Sequence, residues 1–213
     1  LDFIHNTGGN TMAATAKKDA GVVEVPGIDI LRVNVRIVGM SELVMHAWSE
    51  KAKKAMLDKQ TGQPAKKREF KDPQRDYEEA FYRLPDGRPC FPSIAFKAAI
   101  VSAARQVDGL PMTFLRGALH IDGEFVPIEG EPRMREDTVR VGNGTADLRY
   151  RPGFPEWSAT LPIRLNRRAL KLEQLLALIN QAGFSVGVGE FRPEKNGAWG
   201  MFCVDDVEEK ESK

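Results

Sequence analysis

Cysteine, histidine and long apolar runs are scarce in this chain, and each shortage closes a class of function. The two cysteines, Cys90 and Cys203, stand far apart. They are too few for a disulfide framework and suit a reducing, cytoplasmic setting. The three histidines, His5, His46 and His120, have neither a cysteine nor a second histidine beside them. That leaves no metal-ligand spacing, so neither a metal nor a cofactor is expected. No apolar run approaches the ~20 residues of a membrane helix, and the start lacks the basic-then-apolar pattern of a secretory signal, so no membrane partner is expected. Net charge is scarce as well: 31 Lys and Arg against 30 Asp and Glu leave +1, a balance that by itself predicts no polyanionic partner.

What the chain does have is unevenly placed charge. Nine Lys or Arg face five Asp or Glu between Glu50 and Asp76, and eight arginines face four acids between Arg133 and Arg168. The last stretch, Asp205 to Lys213, reverses this with five acids and two lysines. Basic segments on a nearly neutral chain either form a local patch for phosphate or remain a solvated surface.

The 213 residues suffice for one domain with a substantial core. Residues 1–26 are small, polar and aperiodic and read as a loose leader, with Met12 as a candidate natural start. "DILRVNVRIVG", residues 29–39, alternates as a first strand. Ser49 caps a helix in "SEKAKKAMLDKQ", and the charged, proline-broken stretch after it reads as a mobile loop. A short helix or turn is expected in "RDYEEAFYRL". Ser93 is expected to cap the clearest helix, "SIAFKAAIVSAARQ", with Ile94, Ala98 and Val101 along one face. Two short strands around Asp122-Gly123, a hairpin about Asn143-Gly144 and a strand in "WSATLPIRLN" follow. A second strong helix, "RALKLEQLLALINQAG", is expected to stop at Gly183. "FSVGVGEF" and "AWGMFCV" are read as closing strands joined at Asn196-Gly197, and residues 207–213 as an acidic tail.

This order predicts an α+β fold: a ferredoxin-like, RRM-like antiparallel sheet with two main helices on one face. One domain would span residues 27–206, with insertions at about 49–80 and 130–155 at the sheet edges. Gly187 and Gly189, two apart, would share a strand face and let a helix or a polynucleotide approach closely. Trp199 is expected in the core.

Two stretches carry a family resemblance. Gly187-x-Gly189, a short basic turn with Arg192 and Lys195, then Gly197-x-x-Gly200 resembles the C-terminal glycine-rich loop of the RAMP superfamily, the ferredoxin-like proteins of CRISPR systems. "RPCFPSIAFKAAIVSAAR" is similar to the segment in which backbone subunits of CRISPR effectors open a helix, with Pro92, Phe96 and Lys97 at matching positions. Ser93-Ile94-Ala95 stands where the family has a glycine-serine-serine turn, and Val101 where it has an arginine, with Arg105 one turn on.

The resemblance implies sequence-independent binding of single-stranded nucleic acid through its phosphates, RNA such as a CRISPR guide RNA ahead of DNA. It further implies copies stacked in a filament beside other effector subunits. The implied contacts are Lys97, Arg105, Gly187, Gly189, Arg192 and Lys195. Lys97 would join the free N–H groups of its helix N-terminus. Arg149 and Arg151 on the hairpin, and Lys66, Lys67 and Arg68 in the basic loop, complete the set. Two rivals remain. Some RAMP relatives are metal-independent endoribonucleases that process guide RNA with a histidine after the first strand as general acid or base, where His46 lies, and others cut RNA with an acidic loop residue, for which Asp72 and Asp76 are available. The other rival is an assembly protein without nucleic acid.

Overall fold

In the computed structural model, residues 27–63, 70–141 and 144–210 are described; the leader and Lys66, Lys67 and Arg68 lie outside them. Along the chain run β1 (Ile30–Gly39), β2 (Leu43–Val44), α1 (Glu50–Gln60), α2 (Pro73–Glu79), β3 (Cys90–Pro92), α3 (Ser93–Ala103) and α4 (Met112–Ala118). Then come β4 (Leu119–Ile121), β5 (Phe125–Pro127), β6 (Arg133–Val141), β7 (Thr145–Phe154), β8 (Ser158–Asn166), α5 (Leu172–Ser185) and β9 (Phe202–Lys210).

Alternation builds the main sheet. In β1, Leu31, Val33, Val35 and Ile37 are buried while Arg32 is exposed, the period of a strand with one covered face. β1 pairs antiparallel with β8, from Ile30 opposite Asn166 to Val38 opposite Ser158, and with β9 on its other edge. β4 adds outside β8, giving the order β4-β8-β1-β9. Taken along the chain, β1-α3-β4 and β8-α5-β9 are two interlocked βαβ units. That is the ferredoxin-like fold.

The two helices supply the covering layer. Phe96, Ala99, Ile100 and Ala103 of α3 and Leu175, Ile179 and Ala182 of α5 join the inward face of β1 in one core. Phe202 of β9 is fully buried among aromatic rings, with centroids 6.1 Å from Phe96 and 6.2 Å from Trp157. Burying each such side chain stabilises the fold by about 1.5–3 kcal/mol.

The rest of the chain lies between these elements. β6 and β7 form a hairpin, paired from Arg133 opposite Gly153 to Val141 opposite Thr145. β2 adds beside β7, so the hairpin belongs to a second sheet of order β2-β7-β6 rather than to an edge of the first. α2 lies against β7. α1 begins at Ser49, whose hydroxyl accepts from the Ala52 N–H at 3.1 Å, and buries no residue.

Several expectations fail locally, each for a physical reason. Ser93 is the first residue of α3 rather than its cap: its hydroxyl donates to the Gly123 carbonyl at 2.6 Å, tying the helix start to the turn before β5. Ile94 is 66% exposed, because the buried stripe follows Phe96 and Ala99/Ile100 to Ala103. α5 runs through Gly183 to Ser185; a side chain at 183 would collide with the Phe202 carbonyl, so this glycine lets helix and strand approach. "FSVGVGEF" is the end of α5 and a loop, not a strand, and the chain has no ladder around Asn196-Gly197. Residues 207–210 belong to β9 rather than to a tail.

Candidate nucleic-acid interface

The loop from 186 to 201 leaves α5 when the N–H groups of Val186 and Gly187 both donate to the Ala182 carbonyl, at 3.0 and 2.9 Å. It is then strapped to the segment around β2. Glu190 N–H donates to the Val44 carbonyl at 3.0 Å, Gly200 N–H to the Glu42 carbonyl at 2.7 Å, and Val188 N–H to the Gly200 carbonyl at 2.9 Å. Gly189 has φ +81°, and a Cβ there would stand 2.6 Å from the Val44 carbonyl oxygen. At Gly200 it would collide with the Val188 carbonyl. Gly187, at φ +68°, would press on the Pro193 ring. Each of these glycines is therefore required by the loop's own packing, whatever else the face beside Gly187 and Gly189 meets.

Beyond Gly189 the chain makes a tight 3-10 turn at Pro193–Lys195 that ends in the left-handed Asn196, φ 59°. Gly197 N–H returns to the Arg192 carbonyl and Trp199 N–H to the Phe191 carbonyl, both at 3.1 Å.

An ion-pair network joins this loop to the hairpin. Glu42 takes Arg133 at 3.0 Å and also Arg135. Arg135 reaches Asp137 at 2.9 Å, Asp137 takes Arg151 at 2.7 Å, and Arg151 reaches Glu190 at 3.0 Å. Burial pushes the Asp137 carboxyl up, but the hydrogen bonds from Arg135 and Arg151 outweigh it and hold the group below its ordinary value. Glu190 is likewise held low, first by the neighbouring His46 imidazole and then, against its burial, by Arg151 and Arg149. Arg151 itself is 3% exposed, so it is a structural cation at the hairpin root and not the projecting phosphate contact expected. Its Nε has no hydrogen-bond partner among the described residues. Trp199 is not core either. The Arg135 guanidinium covers its ring at 4.2 Å and Phe191 packs edge-on at 5.2 Å, leaving it half-buried.

The other expected residues fall into distinct places. Lys97, one turn into α3, donates to the Arg116 carbonyl at 3.0 Å at the end of α4 and lies 3.2 Å from His120 Nδ1. Its ammonium thus holds the carbonyl end of a neighbouring helix, and burial lowers its pKa. Arg105 is exposed and reaches Glu194 at 3.8 Å; Glu194 also holds Arg192 at 2.8 Å, so α3's far end is bridged to the loop. Arg149 lies 3.2 Å from His46 Nδ1, and His46 in turn lies 4.0 Å from Glu190. The Asp72 carboxylate caps α2 by accepting from Arg75 N–H at 3.1 Å, and Asp76 lies 4.0 Å from Lys71. Lys195 is exposed on the loop.

Three hollows surround the loop. A groove of about 700 Å³ runs between hairpin and loop, with Arg140 and Thr138 on one side and Phe191, Arg192, Lys195 and Trp199 on the other. A smaller cleft of about 200 Å³ is lined by Ala95 and Ala98 of α3 together with Gly187 and Gly189, so the two stretches that carry the family resemblance meet in space. A third, of about 510 Å³, lies between hairpin, α1 and α2 and holds His46, Trp48 and Arg149. Glu190 borders all three. Neither Glu190 nor Arg140 nor Phe191 is singled out by the sequence. Glu190 meets Arg151 across 39 positions, which leaves no local pattern.

Fold and groove together define a ferredoxin-like protein with a cation-edged channel. The chain is similar in fold to solved structures. A chain in the cryo-EM structure of the type III-B Cmr-beta bound to cognate target RNA aligns with a TM-score of 0.51 and 11% identity over 84% of this chain. The present chain spans 60% of that chain's length. Cmr6 from Pyrococcus furiosus aligns with a TM-score of 0.41 and 11% identity, over 84% of this chain and 100% of Cmr6. No protein-family model and no curated protein sequence matches. At 11% identity the first of these alignments shows a shared fold. Among the described residues no helix is long and apolar enough to cross a membrane.

Proposed function

We propose that the chain binds single-stranded RNA along the groove between the β6–β7 hairpin and the glycine-rich loop, as a subunit of a CRISPR ribonucleoprotein. The observation that carries this reading is the division of charge in the groove. Arg140, Arg151, Arg192 and Lys195 face Glu136, Asp137 and Glu190. Asp137 and Glu190 are both engaged by the buried Arg151, and with Glu42, Arg133 and Arg135 they form a network of three carboxylates and three guanidiniums that balances at the groove's floor. Arg140 and Lys195 stand exposed at its rim, on two separate elements, where they can follow a phosphate backbone. The choice of RNA, and of a place among CRISPR subunits, rests on the fold shared with a chain of a complex described as bound to target RNA.

Binding of one fluorescent strand as RNA and as DNA, followed across salt, tests the reading. The log–log slope should be roughly −0.7 per phosphate contact on a single strand, and Arg140→Ala or Lys195→Ala should each make it shallower by about 0.7. Lys97→Ala, whose ammonium is engaged with the Arg116 carbonyl, should leave the slope unchanged. Unchanged affinity and slope in both groove variants would remove the groove. The strand should stay intact; cleavage abolished by His46→Ala would favour the endoribonuclease instead. Light scattering on a strand of about 100 nucleotides reads the number of copies bound, with several copies expected for repeating head-to-tail contacts.

A further inference from the structure

We infer that Phe191 is a base-stacking platform at the rim of this groove, taking the face of one nucleobase of the bound strand; the inference rests on the groove reading above. Phe191 has φ 46°, a backbone conformation that bulky L residues rarely adopt, and glycine would fit it without strain. The loop nevertheless holds a phenylalanine there. Trp199 N–H donates to its carbonyl at 3.1 Å, and Gly197 has no side chain because one would collide with that same carbonyl.

The strained backbone turns the ring outward: Phe191 is 54% exposed. It is also braced, since Trp199 packs against it at 5.2 Å and Arg135 covers Trp199 at 4.2 Å. An exposed aromatic ring on strained backbone combines two unfavourable features, and a partner for the ring offsets both. The chemistry around it selects that partner. Arg192 follows directly in sequence, and Lys195 and Arg140 line the same groove. Cations that track phosphates beside a rigid ring are the two components of single-strand recognition, and stacking tolerates any base because each has a π-face. An apolar protein surface would instead bring these cations against groups that do not pair with them.

The test compares the full chain binding a short single-stranded RNA with the same strand made entirely of abasic residues. Wild type should prefer the base-bearing strand by roughly 5- to 150-fold, the range expected for one stacked base. Phe191→Ala should lose that preference with an unchanged salt slope, and Phe191→Tyr should restore it. Phe191→Gly, which accepts the positive φ, guards against a misfolded loop, and its melting temperature should match or exceed wild type. Equal preference in wild type, Phe191→Ala and Phe191→Gly overturns the stacking role while leaving the groove in place; this is also the result if the ring contacts a protein subunit. Absence of salt-dependent binding by wild type to either strand overturns the groove and the stacking role together.

Discussion

Val35 in the main sheet and Arg151 at the root of the hairpin are almost equally hidden from water, at 0% and 3% exposure. What keeps them there differs. Val35 sits in an apolar layer where any neighbour of similar volume contributes, so its place depends on period and size. Arg151 is held by two named carboxylates on two other parts of the chain, Asp137 and Glu190. A buried cation needs its partners, because losing one leaves a charge without compensation. The sheet is therefore tolerant in detail, whereas the junction of hairpin and loop is specified residue by residue.

Truncation in the apolar layer gives the largest effect. Phe202→Ala should destabilise the protein by about 3–5 kcal/mol in urea melts, and a loss under 1 kcal/mol would mean that the layer repacks freely. Next comes the polar side. Asp137→Ala removes charged hydrogen bonds from Arg135 and Arg151 and should cost about 1.5–3 kcal/mol, with a further loss of RNA binding as the groove floor shifts. If stability falls but RNA affinity does not, the network supports the fold without shaping the site.

Gly189→Val should cost about 1–3 kcal/mol through overpacking against the Val44 carbonyl, and RNA binding should fall in parallel. Binding lost at full stability would instead place the ligand backbone at Gly189. Trp199→Ala should cost less than a core tryptophan, about 0.5–2 kcal/mol for the lost cation–π contact with Arg135.

The smallest effect is read from pH. Asp137 and Glu190 lie below their ordinary values of 3.8 and 4.5. Both therefore add stability that is fully present above those values and is lost as pH falls through the lower folded values. Asp137→Asn should flatten the acid limb of a stability–pH curve. An unchanged limb would show that other carboxylates set it.

The main sheet was legible because its signal is local. Alternation at Leu31 to Ile37, the helical stripe of α5 and the order of strands and helices are written in consecutive residues. The closing strand in "AWGMFCV" forms from Phe202 on, whereas reading "FSVGVGEF" as a strand failed because glycines with apolar neighbours resemble strand and turn alike. The bonds that decide the matter, from Glu190 to Val44 and from Gly200 to Glu42, join distant positions. The burial of Arg151 has no signature for the same reason: an arginine beside Tyr150 and Pro152 looks like surface until Asp137 and Glu190 are brought to it. The bond from Lys97 to the Arg116 carbonyl was not legible either, since α4, whose end it reaches, left no clear period.

β9 closes the main sheet on one side and carries Asp205, Asp206, Glu208 and Glu209 along its length, while the opposite edge, β4, is three residues long. A row of carboxylates repels a second such row, and so short a strand offers little ladder to extend. Among the described residues both margins are in this way guarded against merging with another sheet, one by charge and one by brevity. Two molecules pressed together at high concentration would then meet through helices and loops and stay separable, instead of fusing into a continuous β-structure.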